Sequence, residues 1–131
     1  MVPVRLYDDP FRKHHAKLVL CECYEDLEGK EPNEFNSRHN LSKLQQKYAH
    51  EESLCGIEQE YVIYDLKTNL PVGWKNHKDP GCGPQGPYYC GVGGNKAYGR
   101  DFVEEHMYLC LNAGINYFGL NAEVMPAQWE F

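Results

Sequence analysis

Between Pro71 and Gly99 the chain carries 8 of its 12 glycines and 4 of its 8 prolines. Proline removes a backbone donor, and glycine loses the most freedom on being ordered. No helix and no long strand can therefore run through this stretch. Regular elements must lie before it and after it. A loop of this length inside a compact chain is either functional or disordered. Trp74, Tyr88, Tyr89 and Tyr98 give it contact surface that a disordered linker lacks, which predicts an ordered loop.

The flanks alternate between strand and helix patterns. Residues 1–7 alternate as a strand does, and Asp8-Asp9-Pro10 breaks the run. Residues 18–24 form a second apolar strand pattern, and residues 25–34 an acidic loop. Asn36 or Ser37 can cap a helix starting near Arg38, with Leu41, Leu44 and Tyr48 as a narrow apolar stripe. Another strand is expected over residues 55–64. Residues 101–113 are the clearest helix, with acid in the first turn, Phe102, Val103, Met107 and Cys110 on an apolar face, and Gly114 as its stop. Residues 116–123 and 124–131 read as two strands broken at Met125-Pro126. The class is α+β: antiparallel strands packed with two helices and one long Gly/Pro-rich loop.

The chain has 131 residues, 42% hydrophobic, with a formal net charge of −6. That mild acidic excess, without a basic run, argues against a nucleic-acid or anionic-membrane partner. No stretch of 18 apolar residues is present, so no membrane-spanning helix is expected, and the first residues lack a signal-peptide layout. A soluble, cytoplasmic chain is the expectation. The six cysteines read as free thiols. Cys21 and Cys23 project the same way from a strand, and no Cys/His set has zinc spacing.

The acids carry the chemistry. In a strand, Glu58 and Glu60 project from one face, roughly 6.5–7 Å apart. Such a pair is either a solvated strand surface or a hard-cation site, because carboxylate oxygens suit Mg²⁺ or Mn²⁺. Glu123 and Glu130 sit in apolar surroundings, and residues 101–131 hold no basic residue after the first helical turn begins at Asp101. A turn at Met125-Pro126 could set both acids on one side, where a metal would satisfy them. Gly91-Val92-Gly93-Gly94 lacks the spacing of a phosphate-binding loop and reads as a structural turn. His14, His15, His39, His50 and His106 form no nucleophile or metal pattern.

Four motifs belong together. They are residues 56–61 (GIEQEY), residues 83–93 (GPQGPYYCGVG), residues 96–101 (KAYGRD) and residues 121–131 (NAEVMPAQWEF). With Asp9-Pro10-Phe11-Arg12 and residues 17–22 (KLVLCE), they are collinear with, and closely resemble, glutamine synthetase of the eukaryotic type. The resemblance covers essentially the whole chain. It implies that residues 1–24 are the end of a β-grasp domain and residues 25–131 the first part of the catalytic domain. It implies an ATP-dependent ligase that joins ammonium to L-glutamate through a γ-glutamyl phosphate. By motif, Glu60, Glu123 and Glu130 match the carboxylates of one divalent metal, Mg²⁺ or Mn²⁺. Glu58 matches a ligand of a second metal on the ATP phosphates, and Glu130 and Phe131 border the nucleotide. Glutamate, ammonium and ATP are the implied partners, with self-association into a ring oligomer.

The departures are as specific. The family's Asp-Gly-Ser-Ser loop is absent from these residues. So are its metal-binding His, its last metal-binding Glu, its substrate-holding arginines and its flap. Residues 62–82 look longer than usual, and Cys82 falls among them. The apolar ends read as cuts through larger domains, so the 131 residues alone are expected to be inactive. The alternative reading is a stand-alone, non-catalytic remnant that binds a divalent metal or a synthetase subunit.

Overall fold

The computed structural model describes residues 1–12, 15–79 and 86–131. Cys82, His14 and the Gly83-Pro84-Gln85 part of the second motif lie outside the described residues. The chain forms two compact units: Met1–Gly56 with Asn112–Gly114, and Ile57–Leu111 with Ile115–Phe131. Among the described residues, two α-helices and antiparallel strand pairs make an α+β arrangement.

In the first unit, β1 (Val2–Asp8) pairs antiparallel with β2 (Lys17–Glu22), with an irregularity between Pro3 and Arg5. The sharp reversal after β1 is fixed by Asp9, which is buried. Its Oδ1 accepts the Phe11 and Arg12 amides at 2.8 and 3.2 Å. The Phe11 bond holds the Asp9 carboxyl below its usual value. In the acidic loop, Asp26 accepts the amides of Glu28, Lys30 and Glu31. The Glu31 amide lowers its pKa most. Helix α1 (Ser37–Lys47) starts where the sequence places it. Asn36 Oδ1 accepts the His39 amide at 3.1 Å, and Asn36 Nδ2 donates to Cys23 O at 2.9 Å, so one side chain both caps the helix and ties it to the end of β2. Arg38 adds an ion pair to Glu22 at 3.1 Å. The Leu41, Leu44 and Tyr48 stripe forms, yet all three remain about half exposed and no α1 residue is buried.

In the second unit, β3 (Glu60–Val62), β7 (Gln128–Glu130) and β6 (Asn121–Ala122) make a three-stranded sheet in the order β3-β7-β6. A hairpin pairs β4 (Tyr64–Asp65) with β5 (Leu70–Pro71). Helix α2 (Arg100–Asn112) covers one face of the three-stranded sheet through Val103. It stops where Gly114, at φ 81, takes the left-handed conformation and the Ile115 amide returns to Cys110 O. The core is Ala97, Val103, Ala122 and Trp129, with Tyr61, Ile63 and Leu120 packed on it. Trp129 is 1% exposed, and its Nε1–H donates to Tyr98 O at 2.8 Å. The Gly/Pro-rich loop is ordered where it is described. Trp74 Nε1–H donates to Pro126 O at 3.2 Å, and the Cys90 amide donates to Ala122 O at 2.8 Å.

Three expectations change. The strand expected over residues 55–64 is cut to β3 and β4. Ile63 switches partners between them, its amide going to Ala127 O and its carbonyl accepting from Val72. Upstream of Gln59 the chain has no strand partner, and Ile57 is exposed. The two strands expected after residue 115 are likewise shortened, to β6 and β7, around a turn in which Ala127 takes φ 61. Phe102 is 66% exposed, because Val103 and Cys110 define the buried stripe of α2. The five described cysteines are free thiols. No helix among the described residues is long and apolar enough to cross a membrane.

Truncating Trp129 to Ala is expected to cost about 3–5 kcal/mol of stability, whereas Phe102→Ser should change it by less than about 0.5 kcal/mol. Urea denaturation of both variants checks the assignment of the core. The lowered pKa values of Asp9 and Asp26 stabilise the folded chain above the ordinary aspartate value. That contribution is lost as pH falls from there through the lowered values. The stability gap between wild type and Asp26→Asn should therefore narrow as urea midpoints are taken from pH 5 down to pH 2.5.

Candidate functional site

The pairing of β3, β7 and β6 decides which way Glu60, Glu123 and Glu130 point. Glu60 faces Glu130 across β3 and β7, and Asn121 faces Glu130 across β6 and β7. Gln59 and Phe131 exchange both backbone hydrogen bonds, at 2.8 and 3.0 Å. Ladder bonds alternate along an antiparallel pair, so Glu60 and Glu130 occupy the next, non-bonded position, where Cα atoms approach to about 4.5 Å. The Glu123 amide donates to Gln128 O at 2.7 Å, which extends the register by one pair. Side chains alternate along each strand. Glu60, Val62, Asn121, Glu123, Gln128 and Glu130 therefore share one face. Tyr61, Ala122 and Trp129 share the other, beneath α2.

Glu123 and Glu130 are half-buried and Glu60 is exposed. Gln128 Nε2 donates to Glu60 Oε2 at 2.8 Å, and Met125 N donates to Gln128 Oε1 at 3.1 Å, so the amide side chain holds the Glu60 carboxylate against the turn. The Glu123 carboxylate accepts the Val124 amide at 3.1 Å. The loop closes on this turn at Gly86. Its φ is 62, and a Cβ there would collide with the Val124 carbonyl oxygen. The Tyr89 phenol lies close by. Its pKa is raised by the neighbouring Cys90 thiol first and then by Glu123.

The strand register thus puts Glu60, Glu123 and Glu130 on one face of the sheet. Glu58 is exposed and precedes the first residue of β3, so its i, i+2 relation to Glu60 is not held by a ladder. Phe131 lies on the opposite face from Glu130. It stacks on Tyr117 at 5.0 Å between ring centroids and meets His106 edge-on at 5.1 Å. Sequence reasoning missed Gln128 and Asn121. Both were accessible from the period of two: Gln128 is two residues before Glu130, and Asn121 two before Glu123.

The face has the composition of a hard-cation site: three carboxylates, two of them directly opposed, and no ion pair to any of them among the described residues. As the side chains stand, no group of three His, Cys, Asp or Glu among the described residues is gathered closely enough to hold a metal ion. Like charges directly opposite on a sheet are destabilising. Glu60→Gln should therefore stabilise the chain by about 0.2–1 kcal/mol in the presence of a chelator. The gain should shrink as salt rises. Urea midpoints at low and high ionic strength measure it, and a destabilised variant would show that the opposed acids do not repel.

No protein-family model matches the chain. Glutamine synthetase cytosolic isozyme 1-1 of Oryza sativa subsp. japonica is 48% identical over 133 residues, covering 100% of this chain and 36% of that protein. Glutamine synthetase of Candida glabrata is 51% identical over 129 residues, covering 98% and 33%. That of Panulirus argus is 50% identical over 131 residues, covering 100% and 35%. The chain spans about a third of the length of these relatives. Over its whole length, then, this chain's curated relatives are glutamine synthetases.

Proposed function

We propose that these 131 residues supply part of an ATP-dependent glutamate–ammonia ligase, with residues 1–24 ending a β-grasp domain and residues 25–131 opening the catalytic domain of the glutamine synthetase fold. The observation that carries this reading is the opposition of Glu60 to Glu130 on a face that also holds Glu123. A sheet gains nothing from two facing carboxylates unless a cation lies between them. All-oxygen donors suit Mg²⁺ or Mn²⁺. Glutamate has three rotatable side-chain bonds, so Glu60, Glu123 and Glu130 can converge on one ion without moving the backbone that aligns them.

The proposed reaction transfers the γ-phosphoryl group of ATP to the γ-carboxyl of L-glutamate, and ammonia then displaces phosphate to give L-glutamine. When bound, a divalent cation neutralises repelling oxygens and stabilises phosphoryl charge. The chain's own share is positional. Gln128 orients Glu60, the Val124 amide orients Glu123, and β7, bonded on both edges, fixes Glu130. Glu58 is the proposed contribution to a second cation on the ATP side, with Glu130 and Phe131 bordering the nucleotide. The longer protein is proposed to work in the cytoplasm as a ring oligomer.

Mn²⁺ titration followed by electron paramagnetic resonance tests the site. Glu60→Gln and Glu123→Gln should each weaken Mn²⁺ binding by about tenfold or more, as expected when a carboxylate ligand is lost. Glu105→Gln, exposed on α2, should leave binding unchanged. Superimposable curves for wild type and Glu60→Gln would remove Glu60 from the site. The 131 residues alone, given glutamate, ammonium, ATP and Mg²⁺, are expected to release no glutamine; turnover would mean that these residues hold a complete active site.

A further inference from the structure

The ladder between β3 and β7 runs one pair past Glu60 and Glu130, to Gln59 and Phe131, which exchange hydrogen bonds at 2.8 and 3.0 Å. Bonded and non-bonded pairs alternate, so the facing acids are bracketed by Gln59–Phe131 on one side and Tyr61–Trp129 on the other. The two brackets are not equally secure. Trp129 is locked in the core. Gln59 precedes the first residue of β3, and Phe131 follows the last residue of β7. A pair at the end of a ladder opens at little cost unless side chains hold it. The opposed carboxylates next to this pair also push the strands apart.

Phe131 has such a hold. Its ring lies on the face away from the acids, where three other rings meet it. Tyr117, from the segment between α2 and β6, stacks on it at 5.0 Å with 1° between the planes. His106, on α2, meets it edge-on at 5.1 Å. Tyr61, on β3 and diagonally across the ladder, meets it edge-on at 6.2 Å. Tyr61 and His106 also meet each other edge-on at 5.3 Å. Parallel rings at this spacing are offset, and offset and edge-to-face pairs are the arrangements that the ring quadrupoles favour. The end of the ladder is thus tied to α2, to β3 and to the segment leading to β6 by one side chain.

We infer that Tyr61, His106 and Tyr117 are positioning residues for the acidic face: by clamping the Phe131 ring they keep the Gln59–Phe131 pair closed, and so keep Glu60 opposite Glu130. The Phe131 ring is the anchor of the ladder. That the aligned acids take a divalent cation rests on the function proposed above; the clamp itself does not. Where both hold they are linked, because a cation that binds only the aligned acids is bound in proportion to the fraction of chains whose pair is closed.

Amide hydrogen exchange of the metal-free chain tests the clamp, and Mn²⁺ titration tests what it positions. Tyr117→Leu removes the stacked ring and keeps an apolar side chain. It should speed exchange of the Gln59 and Phe131 amides by about two- to tenfold, as loss of one aromatic pair implies, and should speed that of the Trp129 amide less. Mn²⁺ binding should weaken by about twofold or more, up to the factor seen in exchange. Tyr117→Phe keeps the ring and should restore both readings. Val103→Ala loosens the core outside the clamp and should leave the Mn²⁺ affinity of the folded chain unchanged. Equal acceleration at all three amides, or none, overturns the clamp. A pair that opens with Mn²⁺ affinity unchanged overturns the positioning role. A wild type that binds no Mn²⁺ removes the cation reading, and exchange alone then decides the clamp. Should Tyr117→Leu not fold, His106→Leu, which removes an edge contact, is read by the same criteria.

Discussion

Burial of Trp129 is the constraint on which the second unit depends. Its indole is enclosed, its N–H is taken by Tyr98 O, and Arg100 lies 5.0 Å above the ring. Because side chains alternate along β7, an inward Trp129 forces Gln128 and Glu130 outward. A slip of one residue would expose the indole and bury a carboxylate, so the register has no close competitor. The apolar core thus sets the acidic face. The same residue ties down the C-terminal end of the Gly/Pro-rich loop: that end supplies the Tyr98 carbonyl that the indole requires, and it packs Ala97 into the core.

Much of this was legible in the sequence, for physical reasons that can be named. Helix α2 was readable because a buried stripe, an acidic first turn and a glycine stop agree. Helix α1 was readable through its cap at Asn36. The carboxylate face follows from the period of two applied to residues 128–130 and 121–123. The strand lengths were not readable. Apolar and β-branched residues at 55–64 satisfy a strand pattern, yet a strand persists only where a neighbour accepts its backbone bonds, and that neighbour is set by chain topology. The same gap hid the position of Glu58, which matches a motif but precedes the ladder. The pairing of Glu60 with Glu130 was also hidden, since it joins segments separated by the whole Gly/Pro-rich stretch. The exposure of Phe102 escaped because its neighbour Val103, one position on, takes the core-facing place.

The two faces of the β3-β7-β6 sheet divide the work. One holds the carboxylates Glu60, Glu123 and Glu130, the first and last directly opposed. The other holds aromatic rings and polar atoms beneath α2. Each of β3 and β7 contributes adjacent residues to both faces: Glu60 beside Tyr61, and Glu130 beside Trp129 and Phe131. The backbone geometry of the acids is therefore set by the sheet ladder and by the packing behind it. The resemblance of residues 121–131 to a glutamine synthetase motif acquires a mechanical sense here, because the apolar residues of that motif are the ones that aim its acids.

Ala127 sits in the turn between Glu123 and Gln128 with a left-handed backbone, and it is 2% exposed. Glycine would adopt that conformation without strain, but it would also leave the unfolded chain freer to wander, and asparagine would need room that the site lacks. Alanine is the smallest side chain that limits this wandering. The turn is therefore a compromise between local strain in the native state and disorder in the denatured one, and the two acids it separates inherit its stiffness.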